Sequence, residues 1–153
     1  MDLMKTELGK LLNRARTISS KSIWFEVFRD QNLKKMVLDW IRQDQLFEKG
    51  IDEDGDIIGT YSEFTESINP EKIAGSHYTL FDTGEFYRSM FVVVLSDSIV
   101  IDADPIKIDE NGEKTNLFYE YGEGIVGLTD ENKQKLANEV SRRFIIEVEK
   151  IFS

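Results

Sequence analysis

The longest apolar run in the chain is short, Met90 to Leu95, and it contains three consecutive valines. A run of this length rich in β-branched residues predicts a buried strand rather than a helix. Ser96-Asp97-Ser98 then reads as a turn, and Ile99 to Ala103 as the returning strand. A hairpin alone is marginal in water, so it must pack against other elements. The two ends of the chain supply them. Leu3, Leu8, Leu11, Leu12 and Ala15 fall near one face of a helix over residues 2–18, with Gly9 as its weak spot. Residues 22–29, with Ile23, Trp24, Phe25, Val27 and Phe28, read as a short helix or a bulky turn. Asp30 is a good N-cap for a helix over 31–48, striped by Leu33, Met36, Val37, Trp40, Ile41 and Phe47 and closed by Lys49 and Gly50. Thr129 caps a last helix over 129–152, with Asp130 and Glu131 in its positive first turn and Leu136, Val140, Phe144 and Val148 at helical spacing.

The middle is less regular. Asp54-Gly55 signals a tight turn, followed by an irregular excursion through residue 79 past Gly59, Asn69-Pro70 and Gly75. Residues 82–90 predict a short helix capped by Asp82 or Thr83. Pro105 excludes a central strand position, and Ile106–Ile108 with Lys114–Tyr121 predict a second hairpin around Asn111-Gly112. Helices, then antiparallel strands, then a helix is an α+β order. The expectation is one domain over 1–153, with N-terminal helices, a small antiparallel sheet of hairpins and a long C-terminal helix.

The chain has no cysteine, which excludes disulfides, thiolate metal sites and a cysteine nucleophile. Its start lacks the basic and apolar regions of a signal peptide, and its longest apolar run is far below the ~20 residues of a membrane helix. The expected location is a cytoplasm until assembly with a partner. A net charge of −10 repels phosphate backbones, and Lys10, Arg14, Arg16 and Lys21 read as the solvated face of a helix rather than a nucleic-acid patch.

Several patterns approach known chemistry and stop short. Gly122-Glu123-Gly124-Ile125-Val126-Gly127 matches a dinucleotide loop, but no second strand follows it, and Glu123 would set a negative charge beside the pyrophosphate. It reads as a flexible strand-to-helix connection. Asp52, Asp54, Asp56 and Glu63 have the spacing of a calcium loop, yet Ile57 and Gly59 reverse its required glycine and apolar positions. Asp102 and Asp104 alternate on a strand and, with Glu110 or Glu113, sketch a metal-dependent nuclease site without its stronger motif. His77, the single histidine, reads as a partly exposed loop residue that Ser76 cannot face. Trp24, Phe25, Phe28, Trp40, Phe81, Phe86 and Tyr87 read as core. No catalytic, cofactor or metal site is expected.

Two segments remain, Leu80-Phe81-Asp82-Thr83-Gly84-Glu85-Phe86-Tyr87-Arg88-Ser89 and Leu117-Phe118-Tyr119-Glu120-Tyr121-Gly122. In this order they resemble the tailed-phage virion proteins that include the head-tail joining, tail-completion and Mu-type virion-morphogenesis families. The stretch Gln45 to Tyr61 also looks like proteins of Bacteroidetes phages and prophages. The resemblance spans about residues 33–152, by order of elements more than by identity. It departs after Gly122, where those families often continue with Gly-Thr and a proline-containing segment. The resemblance implies structural roles for Asp82, Thr83, Gly84, Phe86, Ser89, Tyr119, Glu120, Tyr121 and Gly122. It also implies a homo-oligomeric ring at the neck or tail terminus of a virion, between connector and tail-tube proteins, with DNA passing through. Asp52, Asp54, Asp56, Glu63, Glu110 and Glu113, in the acidic loops, are the expected contacts with neighbours. The rival expectations are an acidic inhibitor or adaptor of a phage or mobile element and the nuclease using Asp102 and Asp104.

Overall fold

The computed structural model describes Glu7, Gly9, Lys10 and residues 20–153. Glu7, Gly9 and Lys10 are helical; the rest of the helix expected over 2–18, with Arg14 and Arg16, lies outside the described residues. The fold is α+β, with N-terminal helices, two small antiparallel two-stranded sheets and a long C-terminal helix, Asp130–Phe152. Among the described residues, no helix is long and apolar enough to cross a membrane.

Helical periodicity at the two ends builds one core. The helix Ser20–Phe28 buries Ile23, Val27 and Phe28, which pack with Leu33 beneath Val140, Phe144, Val148 and Ile151 of the C-terminal helix. Trp24 Nε1 donates to Leu95 O at 2.6 Å, tying that helix to the hairpin. Asp30 caps the next helix, Gln31–Asp39, by accepting from Asn32 N at 2.8 Å. Its other oxygen accepts from Arg143 Nη1, so the same cap holds the C-terminal helix. Arg143 Nε and Arg142 Nη2 both donate to Glu139 Oε1, at 2.8 and 2.6 Å.

These bonds from Arg142 and Arg143 pull the Glu139 carboxyl down from 4.5 to about 2. A depressed carboxyl stabilises the fold above its unfolded value and ceases to as pH falls through its folded value. Stability is therefore expected to decline as pH drops from 4.5 toward about 2, and Glu139→Gln to flatten that decline. Urea titrations across this range check the outcome.

The helix expected over 31–48 is two segments. Gln31–Asp39 is α-helical, and Trp40–Lys49 continues as a π-helix. Wider i→i+5 turns re-aim the side chains. Gln45 and Leu46 are buried, and Phe47, read as part of the apolar stripe, points out. Gly50, at φ 63°, stops the segment as its N–H reaches Gln45 O and Leu46 O. Buried Gln45 then joins three parts of the chain. Its Nε2 donates to Gly127 O at 2.8 Å, and its Oε1 accepts from Thr129 N at 3.0 Å and Asn132 Nδ2 at 2.8 Å. Asn132 Nδ2 also donates to Asp44 Oδ2 at 3.1 Å. Burial opposes ionisation of Asp44, but the bonds from Asn132 and Lys49 outweigh it and hold its carboxyl low.

Further expectations need correction. The excursion 51–79 is not irregular throughout. Ser62 caps a helix, Glu63–Ile68, and the loop is closed by Tyr61 N to Ser76 O at 2.9 Å and Tyr78 N to Gly59 O at 2.8 Å. The second hairpin is shorter than expected: β3 (Ile106–Ile108) pairs with β4 (Lys114–Asn116) alone. Leu117–Tyr121 is a helix because the Asn116 side chain accepts from Phe118 N and Tyr119 N. That cap overrides the strand preference of the aromatic residues. The first hairpin, β1 (Phe91–Val94) with β2 (Ile99–Asp102), forms a separate sheet and is not buried on both faces. Val92, Val94, Ile99 and Ile101 face the core. Phe91, Val93, Leu95 and Val100 face outward, at 48%, 41%, 44% and 45% exposed.

Candidate functional site

The two segments that carry the family resemblance are distant in sequence and adjacent in space. Phe86 and Phe118 meet edge to face with ring centroids 6.5 Å apart. Tyr78 packs on Tyr121 at 6.0 Å and on Tyr61 at 4.8 Å. The two segments wall a cleft of about 410 Å³, lined by Asp82, Thr83, Gly84 and Phe86 from one and Leu117, Glu120 and Tyr121 from the other. Ile106 and Ile108 of β3 also line it. Burial and the neighbouring Glu120 carboxylate push the Tyr121 hydroxyl up.

Neither Asp82 nor Thr83 caps the short helix. That helix is Glu85–Ser89, and its N-cap is Gly84 at φ 84°, with no side-chain cap bond. Only glycine adopts this conformation freely, and a Cβ there would lie 3.1 Å from the Phe81 ring. Asp82 instead reaches across to Lys107 of β3 at 3.0 Å. The Lys107 bond and charge hold the Asp82 carboxyl low. Thr83 contributes its backbone, with its carbonyl accepting from Arg88 Nη1 at 3.2 Å. Ser89 ends the helix, donating to Phe86 O at 2.7 Å, and it also accepts from Asp104 N at 3.0 Å. Tyr87 is the buried anchor of the segment, and its hydroxyl donates to Thr79 O. In the second segment Tyr119 is 91% exposed. Gly122, at φ 84° and ψ 160°, holds a conformation only glycine tolerates.

The acidic candidates form two copies of one turn. Asp52 Oδ1 accepts from Asp54 N at 2.9 Å and Asp56 N at 3.0 Å. Asp109 Oδ1 accepts from Asn111 N at 2.8 Å and Glu113 N at 2.9 Å. Each turn has its glycine at positive φ, Gly55 at 80° and Gly112 at 79°. The carboxylates at Asp52 and Asp109 are thus turn-forming groups, while Asp54, Asp56, Glu110 and Glu113 stay exposed. Asp52, Asp54 and Asp56 place oxygens within 4.8 Å of one another; Glu63 begins the next helix and does not join them.

The other near-matches also have local explanations. Asp102 is the last residue of β2 and Asp104 lies beyond it, so the two do not share a strand face as expected. Asp102 Oδ1 accepts from Ala103 N at 2.8 Å and Asp104 Oδ1 from Ile106 N at 3.0 Å, bending the chain into Pro105. His77 is half-buried, with Nε2 3.0 Å from Phe47 O, while Ser76 Oγ donates to Ile73 O. Of the aromatics read as core, Phe28 and Tyr87 are buried, but Phe25 and Phe81 are exposed. The glycine-rich loop is not a flexible connection. Glu123–Val126 is a 3-10 turn with Ile125 and Val126 buried. Glu53 N donates to Gly124 O at 3.0 Å, and a Cβ on Gly127 would lie 2.8 Å from Glu53 Cβ. The glycines admit the Glu53 side chain, so a carboxylate of the chain itself rests on this loop. No signal in the sequence links Glu53 to residues so far along the chain. No protein-family model, curated protein or solved structure matches the chain.

Proposed function

We propose that the protein is a structural virion subunit that forms a homo-oligomeric ring at the neck or tail terminus of a tailed phage. The outward face of the β1–β2 hairpin carries this reading. Val93 stands opposite Val100 and Phe91 opposite Asp102, so Phe91, Val93, Leu95 and Val100 form one exposed apolar surface. Contiguous apolar surface of this kind marks a contact site. Among the described residues, both sheets also have two strands each, so their outer edges are not paired with a further strand. Exposed Asp97 and Asp102 flank the apolar face. Symmetric face-to-face pairing would set these carboxylates against their own copies. A head-to-tail contact onto a different surface of the next copy avoids that repulsion, and such contacts close into rings when the rotation closes.

Two further features support the reading. The motif residues act as scaffold: Asp82 bridges to β3, Ser89 binds the Asp104 amide, and Gly84 and Gly122 turn the chain. The net charge of −10 suits a lumen through which DNA slides without sticking, while the exposed acidic turns contact connector-proximal or tail-tube proteins. The subunit would be made in the host cytoplasm and retained in the virion.

Sedimentation and electron microscopy of the purified protein, with mass spectrometry of phage particles from the source strain, test the proposal. The expected result is a closed oligomer and presence in particles. Phe91→Thr, Val93→Thr and Leu95→Thr combined keep strand propensity, and this variant is expected to sediment as a folded monomer. A wild-type chain that stays monomeric and is missing from the particles overturns the reading.

A further inference from the structure

We infer that the cleft between the two motif segments receives an arginine-bearing segment of a partner protein. The cleft's volume, about 410 Å³, is that of a ligand site rather than a packing flaw. Its walls include the rings of Tyr61, Tyr78 and Tyr121, which attract cations through their faces. The molecule already uses this chemistry, since Lys72 Nζ sits over the Tyr61 ring, 5.7 Å from its centroid. Charge points the same way. Asp82 is neutralised by Lys107, but Glu85, Asp109 and Glu120 also line the cleft, with Lys72 the one remaining cation among the lining residues.

A planar guanidinium stacks on an aromatic face and binds a carboxylate through paired N–H groups, which a lysine ammonium cannot do. Phosphate-bearing ligands meet an excess of carboxylates and are disfavoured. A second copy of this chain, at a net charge of −10, is a poor partner for an acidic cleft. Among the described residues, Arg29, Arg42, Arg142 and Arg143 are each ion-paired within their own molecule, and Arg88 binds Thr83 O. The occupant is therefore a different, basic protein segment. This site is separate from the outward face of β1–β2 and stands whether or not the ring forms.

The test is a titration of the full chain, followed by nuclear magnetic resonance, with the acetylated peptide Gly-Arg-Gly-Arg-Gly as probe. Saturable shifts are expected at Tyr61, Tyr78, Glu120 and Tyr121, weaker binding by the lysine counterpart and none by the glutamate one. Glu85→Gln with Glu120→Gln should weaken binding about tenfold, the loss of charge-assisted contacts to the guanidinium. Asp54→Asn with Asp56→Asn removes the same charge from a turn that does not line the cleft, and should change binding less than about twofold. Equal weakening by both pairs would mean diffuse attraction to an acidic protein and would overturn the inference. So would shifts spread away from the cleft, or no binding. None of these variants alters the sheet face.

Discussion

Gln45→Ala is expected to destabilise the protein by about 4 kcal/mol, enough to lower the melting temperature by about 10 °C for a chain of this size. The side chain is fully buried, so water cannot replace it. Truncation leaves the Gly127 carbonyl, the Thr129 amide and the Asn132 amide group short of a partner. Each orphaned buried group costs about 1–3 kcal/mol, and the vacated volume adds a cavity cost. Part of the loss is recovered because Asn132 keeps its bond to Asp44. Gln45→Glu should be nearly as harmful, since it turns a donor toward Gly127 O into a buried carboxylate facing a carbonyl. Urea denaturation gives the number directly. A loss under about 1 kcal/mol would mean that the glycine loop and the C-terminal helix do not depend on this clamp.

Gly50→Ala is expected to cost about 3 kcal/mol for two separable reasons. At φ 63° the residue is left-handed, which penalises any side chain. A Cβ would also lie 2.6 Å from His77 Cβ, too near the backbone for the imidazole simply to rotate away. His77 is fixed by the Thr60–His77 bridge and its contact with Phe47 O. A double-mutant cycle divides the two terms. In a His77→Gly background, which removes the clashing Cβ, Gly50→Ala should cost only the conformational part, about 1–2 kcal/mol. An undiminished cost in that background would show that steric overlap with His77 contributes nothing.

How much of this was legible in the sequence depends on the range of the interaction. Asp30 and Thr129 were readable as caps because a cap binds an amide a few residues away. The turns at Asp54-Gly55 and Asn111-Gly112 follow from short side chains and glycine at positive φ. The Ser62 and Asn116 caps used the same chemistry and were obscured by neighbouring aromatic residues that suggested loop or strand. At the cleft, both segments were singled out from the sequence, but their adjacency was not visible. It comes from Phe86 meeting Phe118.

The sequence by itself determined the α+β order, the Asp30 and Thr129 caps and the turns of the two hairpins, because each follows from local hydrogen bonding and the spacing of apolar residues. The tertiary structure decided which apolar residues are covered. Phe91, Val93 and Leu95 belong to the run that predicted a buried strand, yet nothing among the described residues covers that face, because the helices pack on the side of Val92 and Val94. It also decided the destinations of Gln45, Glu53 and Asp82, whose partners lie far along the chain. A side chain's local pattern states which faces it can occupy; only the closing of distant segments states what meets it there.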